Sequence, residues 1–137
     1  MSVDRGRALL AGLWVVSSVA LILLVLTQFL SGKYGPHWQV AFGWLLPSIL
    51  PVVGLTLAGW STEIKNGESR LPSKHLFWFA FTSSVVYLLL IVLLILLQPI
   101  TTMTIFEVIE YSGWLLGGLQ GVIIGLIGFF YFRVVAS

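Results

Sequence analysis

Residues 104–133 read TIFEVIEYSGWLLGGLQGVIIGLIGFFYFR, and no charged residue falls between Glu110 and Arg133. A helical membrane crossing needs about 20 apolar residues, so this stretch predicts one. Six of its residues are glycine: Gly113, Gly117, Gly118, Gly121, Gly125 and Gly128. In water each would cost about 1 kcal/mol against alanine. In lipid a face without side chains lets a second backbone approach, gaining dispersion and weak Cα–H···O contacts. Gly113, Gly117, Gly121 and Gly125 step by four and form a slowly winding ribbon. Gly118, Gly128, Glu107, Glu110 and Gln120 fall on the same side, with Trp114 and Ile124 as its bulky exceptions. Leu115, Leu116, Leu119, Val122, Ile123, Leu126, Ile127 and Phe130 make up the opposite side. The ribbon predicts a helix-packing or oligomer face, within one chain or between copies.

Working outward, three more stretches have the same character. The 137 residues are 58% hydrophobic and only 9% charged, with a mean hydropathy of +1.04. A soluble domain carries about 25% charged residues. Spans at about 8–30, 37–61, 74–98 and 105–133 take up nearly the whole chain. The expected fold is an all-α membrane protein: a single domain, 1–137, of four transmembrane helices arranged as two hairpins with short loops. No room remains for a soluble catalytic or nucleic-acid-binding domain, and a net charge of +2 is no basic patch. The partners expected are therefore the lipid bilayer and a second copy or another membrane protein, with no nucleic acid. The absence of cysteine excludes a disulfide framework and a thiolate metal site. No cofactor or metal is expected.

The head, with Asp4, Arg5 and Arg7, precedes an apolar run too long for a signal-peptide core, so a retained first span is expected. Ser31-Gly32-Lys33-Tyr34-Gly35-Pro36 supplies a helix stop and a turn. In the second span Pro47 and Pro51 lack backbone donors, freeing the carbonyls of Gly43 and Pro47. In lipid these must find other partners. The two prolines are a candidate hinge, as in broken transporter helices, or a static kink.

The hydrophilic stretch 62–74 contains the turn signal Asn66-Gly67, and Ser73 is a candidate cap for the third helix. Leu88–Leu97 is uniformly aliphatic and is expected to face lipid. Gln98-Pro99 ends that helix. Thr104 and Glu107 fit a capping box that starts the fourth. Ser17-Ser18-Val19 and Ser83-Ser84-Val85 each open an aliphatic run closing on glutamine, a faint sign of a duplicated hairpin. Gln28, Gln98 and Gln120 are candidates for hydrogen bonds between helices.

Arg5, Arg7, Lys65, Arg70, Lys74 and Arg133 all fall on one side of the predicted membrane, and only Lys33 on the other. The positive-inside rule then puts both termini and the 62–74 loop in the cytoplasm. Aromatic belts are expected at both interfaces: Trp14, Trp60, Phe77, Trp78, Phe129 and Tyr131 inside; Phe29, Tyr34, Trp38, Phe106, Tyr111 and Trp114 outside.

Glu107 and Glu110 are the only acidic residues on the outer side. Around an axis of symmetry they would ring an outer mouth and favour cations. Alternatively, both answer the helix dipole at an N-terminus. His37 and His75 start helices on opposite sides and cannot share a metal. The spans contain no central Asp, Lys or Arg, and no HExxH, GxSxG or Cys–His set is present, so no enzyme is expected. Two functional readings follow. The first is a small subunit that oligomerises through its fourth helix and encloses a channel or pore. The second is a non-conducting accessory or anchoring subunit of a larger membrane complex.

Overall fold

The computed structural model describes residues 3–66, 74–97 and 104–132. They form α1 (Val3–Leu30), a 3₁₀ turn (Gly35–His37), α2 (Trp38–Asn66), α3 (Lys74–Leu97) and α4 (Ile105–Phe132). All four helices are long and apolar enough to cross a membrane. The chain is an all-α, multi-pass membrane protein.

Two of the helices outrun their predicted spans. α1 begins at Val3 and takes in most of the charged head, and α2 continues to Asn66. Hydropathy marks where a helix meets water, not where its backbone bonds stop. Ser73, Gln98 and Pro99 lie outside the described residues, as does the turn expected at Gly67.

The α1–α2 connection is specific. Lys33 N–H donates to Gln28 O (3.1 Å) and Gly32 N–H to Phe29 O (2.9 Å), the paired bonds of a Schellman stop. That stop needs a left-handed residue, which Gly32 supplies at φ +72°. The α3–α4 hairpin ends in the expected capping box. Thr104 N–H donates to Glu107 Oε2 (2.8 Å), and Glu107 N–H to Thr104 Oγ1 (3.4 Å).

Around the bundle the order is α1, α2, α4, α3, with the closing α1–α3 seam the lightest. α1 and α3 run parallel, fixed by two side-chain bonds. Trp14 Nε1 donates to Ser84 Oγ (3.1 Å), and Gln28 Nε2 to Ile95 O (3.5 Å). The core includes Leu10, Trp14, Leu45, Ile49, Tyr87, Ile91 and Ile127.

Several interfacial assignments are corrected here. Trp14 is fully buried and packs on Tyr87 with ring centroids 6.0 Å apart, and Phe77, Tyr131 and Tyr34 are also buried. These aromatics have polar tips or ring partners inside the bundle, so they serve as core rather than belt. Trp60, Trp78, Phe106, Tyr111, Trp114 and Phe129 are exposed, as a belt requires. The aliphatic run of α3 is also two-sided: Leu88, Ile91 and Ile95 are buried, and Leu89, Leu93, Leu96 and Leu97 face out. Packing in lipid depends on shape rather than on polarity, so a uniformly apolar helix still has a core face.

Candidate functional site: the open face of α4

The fourth helix buries Ser112, Leu116, Ile123, Ile127, Phe130 and Tyr131. The opposite side of the same helix carries the glycines. Gly113, Gly117, Gly118, Gly121 and Gly125 are exposed, and Gly128 is half-buried. A Cβ built on any of the six would come within 4 Å of no described atom beyond its own helix backbone and chain neighbours. Within one chain, then, the ribbon is open. α4 also has the smallest buried share of the four spans, 22% against 33% for each of the others.

Of the residues read as the side opposite the glycines, Leu115 and Val122 are exposed as well, so the buried stripe is narrower than half the helix. Trp114 is 90% exposed and projects beside the glycines. Together with Glu110, Gly113, Gly117 and Gly118 it lines a shallow groove of about 470 Å³. Glu110 is exposed and Glu107 completes the cap, so the two carboxylates have different local settings.

Gln120 departs from the ribbon. Its Nε2 crosses to α2 and donates to Pro47 O (2.9 Å) and, more weakly, to Ser48 O (3.4 Å). The reason lies four residues on from Pro47. Pro51 has no N–H to give the Pro47 carbonyl, and the glutamine amide takes its place. On the other flank Tyr87 Oη donates to Ser48 O (3.1 Å), while Ser48 Oγ closes on Trp44 O (2.7 Å). α2 is one continuous helix through both prolines, which are themselves exposed. Gly43 and Gly54 share that exposed side and also meet no neighbour at a built Cβ. α2 therefore presents a second exposed stripe of small and cyclic residues, in which Gly43, Pro47 and Pro51 step by four and Gly54 follows three later.

One glycine that the ribbon pattern overlooks does meet another helix. A Cβ on Gly59 would collide with the Tyr131 ring. That approach lets Tyr131 enter the bundle, where its hydroxyl donates to Arg7 O (2.8 Å) and its carbonyl accepts from Arg7 Nη2 (3.2 Å). The Arg7 guanidinium also lies 6.0 Å from the Phe130 ring centroid and 5.7 Å from that of Tyr131, within cation–π range. The first and last helices are thus latched at the end of the bundle where the chain begins.

At the other end, the rings of His37 and Phe106 pack nearly perpendicular with centroids 5.2 Å apart. Among the described residues no group of three His, Cys, Asp or Glu side chains comes together to hold a metal. No protein family, curated protein or solved structure matches the chain.

Proposed function

We propose that this small multi-pass membrane protein is a subunit that self-associates through the glycine face of α4. The observation that carries this reading is the open ribbon: six glycines at which a built Cβ would meet no other element of the described chain. A helix that exposes backbone to lipid forgoes the contacts its missing side chains would make, and a second backbone laid against it restores them. The adjoining exposed Gly43, Pro47, Pro51 and Gly54 of α2 broaden that surface, so a partner helix can settle between the two. Both termini and the 62–74 loop are assigned to the cytoplasm from the charge distribution.

A pore is the second reading, favoured by one observation. Glu110 stands exposed in a groove at the start of the ribbon, where copies around an axis would bring carboxylates together. Against conduction, the mid-span amide of Gln120 and the hydroxyl of Ser48 are both already hydrogen-bonded to α2 carbonyls. The accessory reading keeps the same face and changes only its occupant, from a second copy to a larger membrane protein.

Gly121→Leu tests the assembly. Gly121 is exposed and its side-chain direction is empty, so leucine there leaves the monomer fold intact. Loss of the oligomer on detergent gel filtration, with unchanged helical content, is the expected result. An unaltered oligomer would remove α4 from the interface.

A further inference from the structure

Building on self-association through α4, we propose that Glu110 in the groove pairs with Lys33 of a second copy, whose α2 stripe lies on the ribbon. Glu110 falls within the membrane-crossing part of α4, Phe106–Tyr131, and is exposed. Among the described residues no side chain pairs with it. A carboxylate that faces lipid is costly unless a cation meets it. At this end of the bundle the described residues include one Lys or Arg. That residue is Lys33, exposed in the α1–α2 turn, whose backbone N–H donates to Gln28 O while its ammonium has no partner among the described residues. Glu107, the other acid here, already receives the Thr104 N–H. One unmatched charge of each sign therefore stands at the same end of the molecule.

Depth decides which surface brings the two charges together. α2 and α4 run parallel: His37 meets Phe106 near their starts, and Gln120 meets Pro47 farther down. Counted back from the Gln120–Pro47 bond, Glu110 lies about 15 Å up α4, and Trp38 about 14 Å up α2. Gly117 and Gly43 stand about 5 and 6 Å above the same bond. Copies inserted in the same sense keep these levels. Ribbon against ribbon would set Glu110 beside Glu110, and like charges disfavour that pairing. Ribbon against the stripe of Gly43, Pro47 and Pro51 instead sets Glu110 level with the partner's Trp38, just below the turn that carries Lys33. All three stripe residues are exposed, and a built Cβ on Gly43 meets nothing. The flexible lysine stem lies along the indole of Trp114, 90% exposed beside Glu110, with its ammonium at the carboxylate. Because α2 and α4 are neighbours within one chain, a twofold axis along the membrane normal makes the contact twice and closes a dimer. The two Glu110 side chains then sit across a diagonal rather than together.

The chain has no cysteine, so introduced ones report contacts without background. Gly43→Cys and Gly117→Cys, both at open positions, are placed on separately tagged full-length copies and oxidised in membranes. A disulfide dimer carrying both tags is expected, with none from Gly117→Cys alone. Cross-linking of Gly117→Cys to itself in place of the mixed dimer overturns the α2 pairing but leaves self-association through α4 standing. A protein that stays monomeric in lipid nanodiscs overturns both. The charge pair is read from the dimer dissociation constant in liposomes, by energy transfer between labelled copies. Lys33→Gln and Glu110→Gln each raise it about fivefold, and the double variant raises it no further, as for two groups that act together. Additive losses overturn the pair. Weakening by Glu110→Gln with Lys33→Gln silent gives the carboxylate a lipid ammonium as its partner and likewise overturns it.

Discussion

Gln120 of α4 donates its side-chain amide to the backbone carbonyl of Pro47 on α2 at 2.9 Å. The bond joins two helices at the point where Pro51 interrupts the α2 ladder. It is a side-chain substitute for a missing backbone donor, and it ties the helix carrying the glycine ribbon to its neighbour.

That substitution can be tested by restoring the donor. Gln120→Leu is expected to cost about 1–2 kcal/mol, the range for an interhelical bond in lipid whose carbonyl is then left bare. Pro51→Ala gives the Pro47 carbonyl a backbone N–H of its own. In that background the same Gln120→Leu change should cost measurably less, a coupling that a double-mutant cycle in denaturant titration detects. Equal costs in both backgrounds would mean that the glutamine does not stand in for the missing donor.

The Gly59–Tyr131 approach predicts a glycine that tolerates no methyl group. Gly59→Ala places its Cβ against the near end of a buried ring whose hydroxyl is already bound to Arg7 O. The expected loss is about 1–3 kcal/mol by overpacking. Gly12→Ala meets nothing within 4 Å and should leave stability unchanged or raise it by up to about 1 kcal/mol. Thermal unfolding of the two variants side by side checks the contrast.

Tyr34, in the turn outside the spans, donates its hydroxyl to Gln28 Oε1. Burial pushes its phenol above the ordinary value near 10. The folded state thus holds this proton after the unfolded chain has released it. Stability is insensitive to this group below pH 10 and falls as the pH rises beyond it. Tyr34→Phe should be less stable at neutral pH, having lost the bond, yet decline less steeply between pH 10 and 11. An identical alkaline slope in both proteins would refute the assignment.

Glu110 separates the two functional readings. Proteoliposomes containing only this chain should pass cations if the assembly encloses a pore, and Glu110→Gln should then weaken the cation preference. Glu107→Gln should instead affect helix stability, because Glu107 receives the Thr104 amide. No leak at any voltage removes the pore reading.

The elements most legible in the sequence were those governed by local chemistry. Hydropathy located all four helices, Gly32 marked the stop of α1, and Thr104 with Glu107 marked the start of α4. What stayed hidden depends on which apolar surface packs against which. Trp14 reads as a belt residue until Ser84 is found beside its indole N–H. Leu88 and Leu89 are chemically the same, yet one is buried and the other exposed. Gln120 is legible as an interhelical donor, but its partner, the Pro47 carbonyl, is not. Gly59 stands outside any glycine repeat and only the ring of Tyr131 shows its purpose. In lipid, polarity no longer distinguishes inside from outside, so sequence periodicity carries little of that information.

The most direct measurement is the mass of the protein in lipid nanodiscs, without detergent to separate weakly packed helices. If the bare ribbon of α4 is a contact between copies, the protein component will weigh a fixed multiple of the 15.1 kDa chain, and Gly121→Leu will return it to a single copy. A wild-type protein found only as one chain per disc, at every loading ratio, would contradict self-association and leave the ribbon without the partner assigned to it.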